Sequence, residues 1–151
     1  MAFLSGLVSI GALLLLTGYI FNIPYLQQLP VDARISTTVM FVLIGFMHLA
    51  KPEKLTYMIA GILPYAHALV IISGVLEIVF GIGLLFPITR MYAAWALIVL
   101  LILMFPANIH VAVKQLPAPG GLPAAPWYTW SRLAFQPIYC IWIWWAAIAA
   151  H

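Results

Sequence analysis

Charge is scarce in this chain. Of 151 residues, six are Lys or Arg and three are Asp or Glu, so charged residues make up 6% of the sequence. Soluble domains carry about 25%, because a surface facing water needs them. Nine charges cannot cover a soluble globule of this size. With 66% hydrophobic residues and a mean hydropathy of +1.15, most of the surface is expected to face lipid. The formal net charge of +3 comes from scattered cations. Phosphate-backbone binding needs clustered Lys and Arg, so no nucleic-acid partner is implied.

Cysteine is also nearly absent. Cys140 stands alone, which excludes an internal disulfide and a dithiol redox pair within one chain. Among Tyr139, Ile141 and Trp142 it reads as a small apolar packing residue. Catalytic signatures are missing too. There is no Gly-x-Ser-x-Gly elbow, no phosphate-cradling glycine loop and no dinucleotide fingerprint. Gly81-Ile82-Gly83 is a lone pair inside an apolar run and implies packing.

What the sequence does have is long apolar runs. Five can be marked: Phe3 to Asn22, about Ile35 to Ala50, about Tyr65 to Phe86, Met91 to about Val113, and about Leu133 to the end. A bilayer core of about 30 Å needs about 20 helical residues. The reading is an all-α, multi-pass membrane helix bundle: a four-helix core plus one extra N-terminal transmembrane helix. Residues 1–33 form the extra helix and its loop, and residues 34–151 form the bundle. The first run lacks a basic n-region and a small-x-small cleavage site, so it is expected to be retained.

Punctuation supports these divisions. Pro24 and Pro30 break the chain after the first run. Lys51-Pro52-Glu53-Lys54 ends the second, and Pro87-Ile88-Thr89-Arg90 separates the third from the fourth. Gln115 to Pro126 is too rich in proline and glycine for a regular helix. Leu55 to Pro64 is apolar but too short to span. Trp127, Tyr128 and Trp130 suit an interfacial belt. Lys51, Lys54, Lys114 and Arg132 fall on one side, Arg34 and Arg90 on the other, which favours the first side as cytoplasmic.

Counting crossings gathers polar groups that are distant in sequence. His48, His67, Asn108, His110, Arg132 and Gln136 all fall towards one membrane side. Glu77 lies about 16 Å into the third helix at 1.5 Å per residue, near the midplane. A charged carboxylate at that depth is costly, so it should face the bundle and find partners, or stay protonated. Ser73, Gly74, Glu77 and Gly81 share one helical stripe, and small residues there let a neighbouring helix approach closely. Pro106 should kink the fourth helix and free the carbonyl of Ile102. The candidate ligand-binding or polar cluster is therefore His48, Glu77, Asn108, His110, Arg132 and Gln136, with no catalytic residue and no metal ligand assigned. Histidines at similar depth invite a haem or metal reading, but there is no His pair at i, i+4, no Cys ligand and no carboxylate beside a His. Haem and metal are disfavoured.

Several motifs together resemble DoxX-like membrane proteins. They are Gly45-Phe46-Met47-His48 followed by Pro52, Leu63-Pro64, Ser73-Gly74-Val75-Leu76-Glu77, Gly81-Ile82-Gly83-Leu84-Leu85, Pro87 with Arg90, Ala94-Trp95, Phe105-Pro106-Ala107-Asn108-Ile109, Gln136 and Trp142. The resemblance runs from about Arg34 to Trp142. It implies a four-helix membrane bundle formed by the second to fifth runs. The first run is extra, and Leu49 stands where an aromatic usually follows the His. The name of that family comes from a thiosulfate:quinone oxidoreductase subunit, and other relatives belong to oxidative-stress complexes or act as receptor chaperones. His48, Glu77, Asn108 and Gln136 match its recurrent polar positions by residue type only.

Three functions follow as expectations. The first is a non-catalytic membrane subunit or scaffold, with a membrane or peripheral protein partner and an intramembrane polar pocket for a small lipid-like ligand. The second is a redox-linked component that meets quinone, whose carbonyl oxygens such a pocket suits. The third is a small-solute or proton pathway, which the lack of an inverted repeat disfavours. A bacterial inner membrane is the expected location.

Overall fold

The computed structural model describes residues 2–117 and 125–150. The chain is all-α, and the described residues contain no strand. Six α-helices run in order: α1 (Ala2–Ile20), α2 (Leu29–Ala50), α3 (Glu53–Thr56), α4 (Ala66–Gly83), α5 (Arg90–Val113) and α6 (Pro126–Trp144). A 3-10 turn, Pro24–Gln27, joins α1 to α2, and a π-helical turn, Trp145–Ala149, continues α6.

Four of these helices, α1, α2, α4 and α5, are long and apolar enough to cross a membrane. Their outer faces carry large exposed apolar side chains, among them Leu13, Phe46, Ile102 and Leu103. In lipid such a face has no reason to be polar. The fifth run forms α6, a helix of 19 residues, about 28 Å long. It is more polar than the others because Arg132 and Gln136 lie within it.

Two boundaries differ from the sequence reading, for one reason. The second helix starts at Leu29 rather than near Ile35, and the fifth starts at Pro126 rather than near Leu133. Pro126 is the first residue of α6 and Pro30 the second of α2, both within the first turn. There a missing N–H costs nothing and a fixed φ favours the helix. Both prolines open helices instead of breaking the chain. The extension brings Asp32 and Arg34 inside α2.

Leu55 to Pro64 begins within the single turn of α3 and continues as hydrogen-bonded turns. Tyr65, at φ 58°, swings the chain into α4. Between α4 and α5 the Thr89 hydroxyl donates to the Gly83 carbonyl at 2.8 Å, closing a tight turn. Of the segment Gln115 to Pro126, residues 118–124 lie outside the described residues.

Helix α2 is central. It packs against α1, α4 and the end of α6. The apolar core lies between Phe41 on α2, Leu84 just after α4, Ala93, Ala94, Leu97 and Ile98 on α5, and Ile143 and Ala147 at the end of α6. Cys140 packs against this core as a free thiol. Helix α1 joins through Phe3, whose ring meets Phe41 and Tyr139 edge-on at 5.4 and 4.7 Å between centroids.

Candidate functional site

The α2–α4 contact is built on glycine. A Cβ on Gly74 would meet the His48 Cβ at 2.7 Å and the Gly45 carbonyl at 2.9 Å, and one on Gly81 would meet the Phe41 Cβ at 3.2 Å. The two backbones therefore approach closely, the device that small residues serve between membrane helices. Gly45 faces Gly74 and Phe41 faces Gly81, so the helices run antiparallel. The Thr38 hydroxyl donates to the Gly81 carbonyl at 2.8 Å and fastens one end of the seam.

At the other end the seam holds Glu77. Its side chain is 2% exposed as a residue. Nδ1 of His48 lies 3.1 Å from Oε2 of Glu77 and 3.4 Å from Oγ of Ser73. Ser73 already donates its hydroxyl proton to the Val70 carbonyl at 2.9 Å. Both neighbours of Nδ1 are thus acceptors, and the arrangement asks for a proton on Nδ1. The approach to Glu77 falls outside good hydrogen-bond angles, so Oε2 has a close cation-forming neighbour but no linear donor. The close contact can fix the imidazole ring between α2 and α4.

A second polar group joins α5 to α6. Asn108 donates through Nδ2 to Oε1 of Gln136 at 3.0 Å, and Arg132 donates to Oδ1 of Asn108 at 3.1 Å. Gln136 in turn donates to the Leu101 carbonyl. Pro106 lies inside α5, where it removes the N–H that Ile102 would bind. The Gln136 amide is received one residue before that freed carbonyl.

The six candidates therefore do not form one cluster. His48 and Glu77 face each other across α2 and α4, and Asn108, Arg132 and Gln136 form a chain across α5 and α6. His110 leaves both groups, its Nδ1 lying 2.9 Å from the Met58 carbonyl in the α3–α4 connection. His67 is exposed. Crossing parity sets the side of a residue, but not the direction in which its side chain leaves the helix. Among the described residues no group of three or more His, Cys, Asp or Glu could hold a metal ion.

Sequence reasoning missed polar residues at the opposite end. Asp32 is 1% exposed, and neither carboxylate oxygen has a hydrogen-bond partner. It borders a groove of ≈ 330 Å³ lined mainly by apolar side chains of α1 and α2 and by Trp142 and Trp145. Arg34 is 8% exposed and donates to the Ala146 carbonyl at 2.9 Å. The Trp142 indole N–H donates to the Thr37 hydroxyl at 3.1 Å. The crossing count places Arg34 and Arg90 together on this side but passes over Asp32, which enters α2 only because that helix starts at Leu29.

A family model described as "Domain of unknown function (DUF8561)" matches residues 37–147. The chain belongs to that DUF8561 family. No curated protein and no solved structure matches it. The DUF8561 segment opens inside α2 and ends inside the π-helical turn. It contains His48, Ser73, Glu77, Arg90, Asn108, Arg132 and Gln136, and so both interhelical polar groups. Helix α1, Asp32 and Arg34 precede it.

Proposed function

We propose that this DUF8561 chain is a non-catalytic membrane subunit, a helical scaffold on which another protein carries any chemistry. One observation carries the reading: the polar side chains on the α2–α4 and α5–α6 contacts are turned towards the neighbouring helix. His48 faces Glu77, Asn108 bridges Arg132 and Gln136, and Thr38 holds the Gly81 carbonyl. Each contact joins two helices, which is the work of interhelical glue in a bilayer. The motif resemblance to DoxX-like proteins supports the same reading, since relatives there serve as subunits and chaperones. A bacterial inner membrane is the setting proposed with it.

Purification of the full chain from its native membrane in mild detergent tests this. A stoichiometric protein partner, retained when Glu77→Gln replaces the carboxylate, is the expected result. A lone chain with no partner, or a substrate turnover abolished by Glu77→Gln in a folded protein, would overturn it.

A further inference from the structure

At the end of the bundle opposite His48, a cavity of ≈ 370 Å³ is lined by Gln28, Pro30, Val31, Arg34, Arg90 and Ala150. Two of its six lining residues are arginines, and none is acidic. Arg34 is nine-tenths buried and is held by its bond to the Ala146 carbonyl. The Nε of Arg90 is buried with no hydrogen-bond partner. The two guanidinium groups lie within electrostatic reach of each other.

Two cations converging on one partly dry cavity repel, and the repulsion is stronger at low dielectric than in water. Among the described residues no carboxylate relieves it, and only the Tyr25 hydroxyl favours the Arg34 cation. The carboxylate of Asp32, two residues from Arg34, has no hydrogen-bond partner and borders the separate groove on α1 and α6. Glu77 lies between Gly74 and Gly81 on α4 and faces His48. Fixed dipoles add to the positive field, because the first residues of α2 and α5 line the cavity, and a helix carries partial positive charge at that end. The cavity therefore combines two planar cations, one of them with an unmatched N–H, and the first residues of two helices.

We propose that Arg34 and Arg90 form a binding site for a phosphate anion. Guanidinium groups match phosphate oxygens in pairs, which lysine does not. The cavity lies where three helical segments end: the start of α2, the start of α5 and the close of the π-helical turn. That is headgroup depth, where basic pockets between membrane helices receive lipid phosphates. The phosphodiester of an anionic lipid and free inorganic phosphate present the same chemistry.

The experiment uses the full chain in an uncharged maltoside detergent. Native mass spectrometry follows retention of added phosphatidylglycerol, and thermal unfolding follows titration with inorganic phosphate against chloride at equal ionic strength. One retained phosphatidylglycerol, weakened about tenfold by Arg90→Gln and largely kept by Arg90→Lys, identifies a headgroup site. A rise in melting temperature with inorganic phosphate alone, lost in Arg90→Gln, identifies a free-phosphate site. Arg34→Gln removes the Ala146 bond as well and is scored only if it remains folded; Arg90→Gln has no such contact to lose. Lys51→Gln with Lys54→Gln, at the opposite end, should leave retention unchanged. Equal retention and equal phosphate response in wild type and Arg90→Gln would overturn the site, as would equal loss in the lysine variant.

Discussion

His48 on α2 and Glu77 on α4 stand 3.1 Å apart, and their burial is unequal: the His side chain is 12% exposed and the Glu side chain 3%. This inequality makes the pair asymmetric towards mutation. His48→Ala leaves a carboxylate buried without its neighbour, a loss of about 3–5 kcal/mol when the group stays charged. Glu77→Ala leaves an imidazole with some access to water, and costs about 1–3 kcal/mol. Thermal unfolding in detergent should therefore rank His48→Ala below Glu77→Ala, and the double variant should recover part of the His48→Ala loss. Purely additive losses would mean that the two side chains are not coupled.

The stripe that holds Glu77 was legible in the sequence because helix periodicity is local. Ser73, Gly74, Glu77 and Gly81 fall on one face whatever the rest of the chain does. The partner was not legible to the same degree. Counting crossings put His48 and His110 on the same side without distinguishing them, and His110 turns instead to Met58. Which residues share a side depends on topology alone, whereas which ones touch depends on helix rotation and offset, and those are set by packing. The first turns of α2 were lost for another reason. Pro30, Asp32 and Arg34 look like loop residues in isolation; Pro30 suits a first helical turn, and α1 and the end of α6 bury the residues that follow.

The glycine seam predicts a position-specific penalty. Gly74→Ala places a methyl against the His48 Cβ and a carbonyl, neither of which can move without shifting a helix. A loss of about 1–3 kcal/mol is expected from overpacking. Gly11→Ala meets only the Ser36 hydroxyl at 3.8 Å, so it should be neutral or slightly stabilising. Paired melting curves check this; equal behaviour of the two variants would contradict a close α2–α4 contact.

Asp32 opposes two effects of different size. Its place in the first turn of α2 is worth about 0.3–1 kcal/mol through the helix dipole. Burial of a carboxylate without a partner costs several kcal/mol. The second effect is larger, so Asp32→Ala should raise the melting temperature. A lowered one would show that Asp32 holds a partner in the membrane.

Tyr57 gives the chain a pH response outside its spans. Its hydroxyl donates to the Pro117 carbonyl. Burial raises the phenol pKa, and nearby Arg132 partly opposes this. A phenol raised above its unfolded value of about 10 contributes stability below that pH and loses it as pH rises through the folded value. Ultraviolet titration of tyrosinate, compared with Tyr57→Phe, should show the missing component ionising above its ordinary range. A component at or below that range would refute the assignment.

The contrast between α1 and α2 has a consequence for biogenesis. Helix α1 has no charged residue and can rest in lipid as soon as it is made. Helix α2 cannot do so as easily, because Arg34, Thr37 and Thr38 find their partners on α4, on α6 and just beyond α6. Those segments are synthesised later. An early α1–α2 hairpin must therefore keep the polar first turns of α2 near the membrane surface, where Asp and Arg are tolerated. The two-helix intermediate should sit shallow, and α2 should settle to its final depth only when the last helix delivers the Ala146 carbonyl and the Trp142 indole.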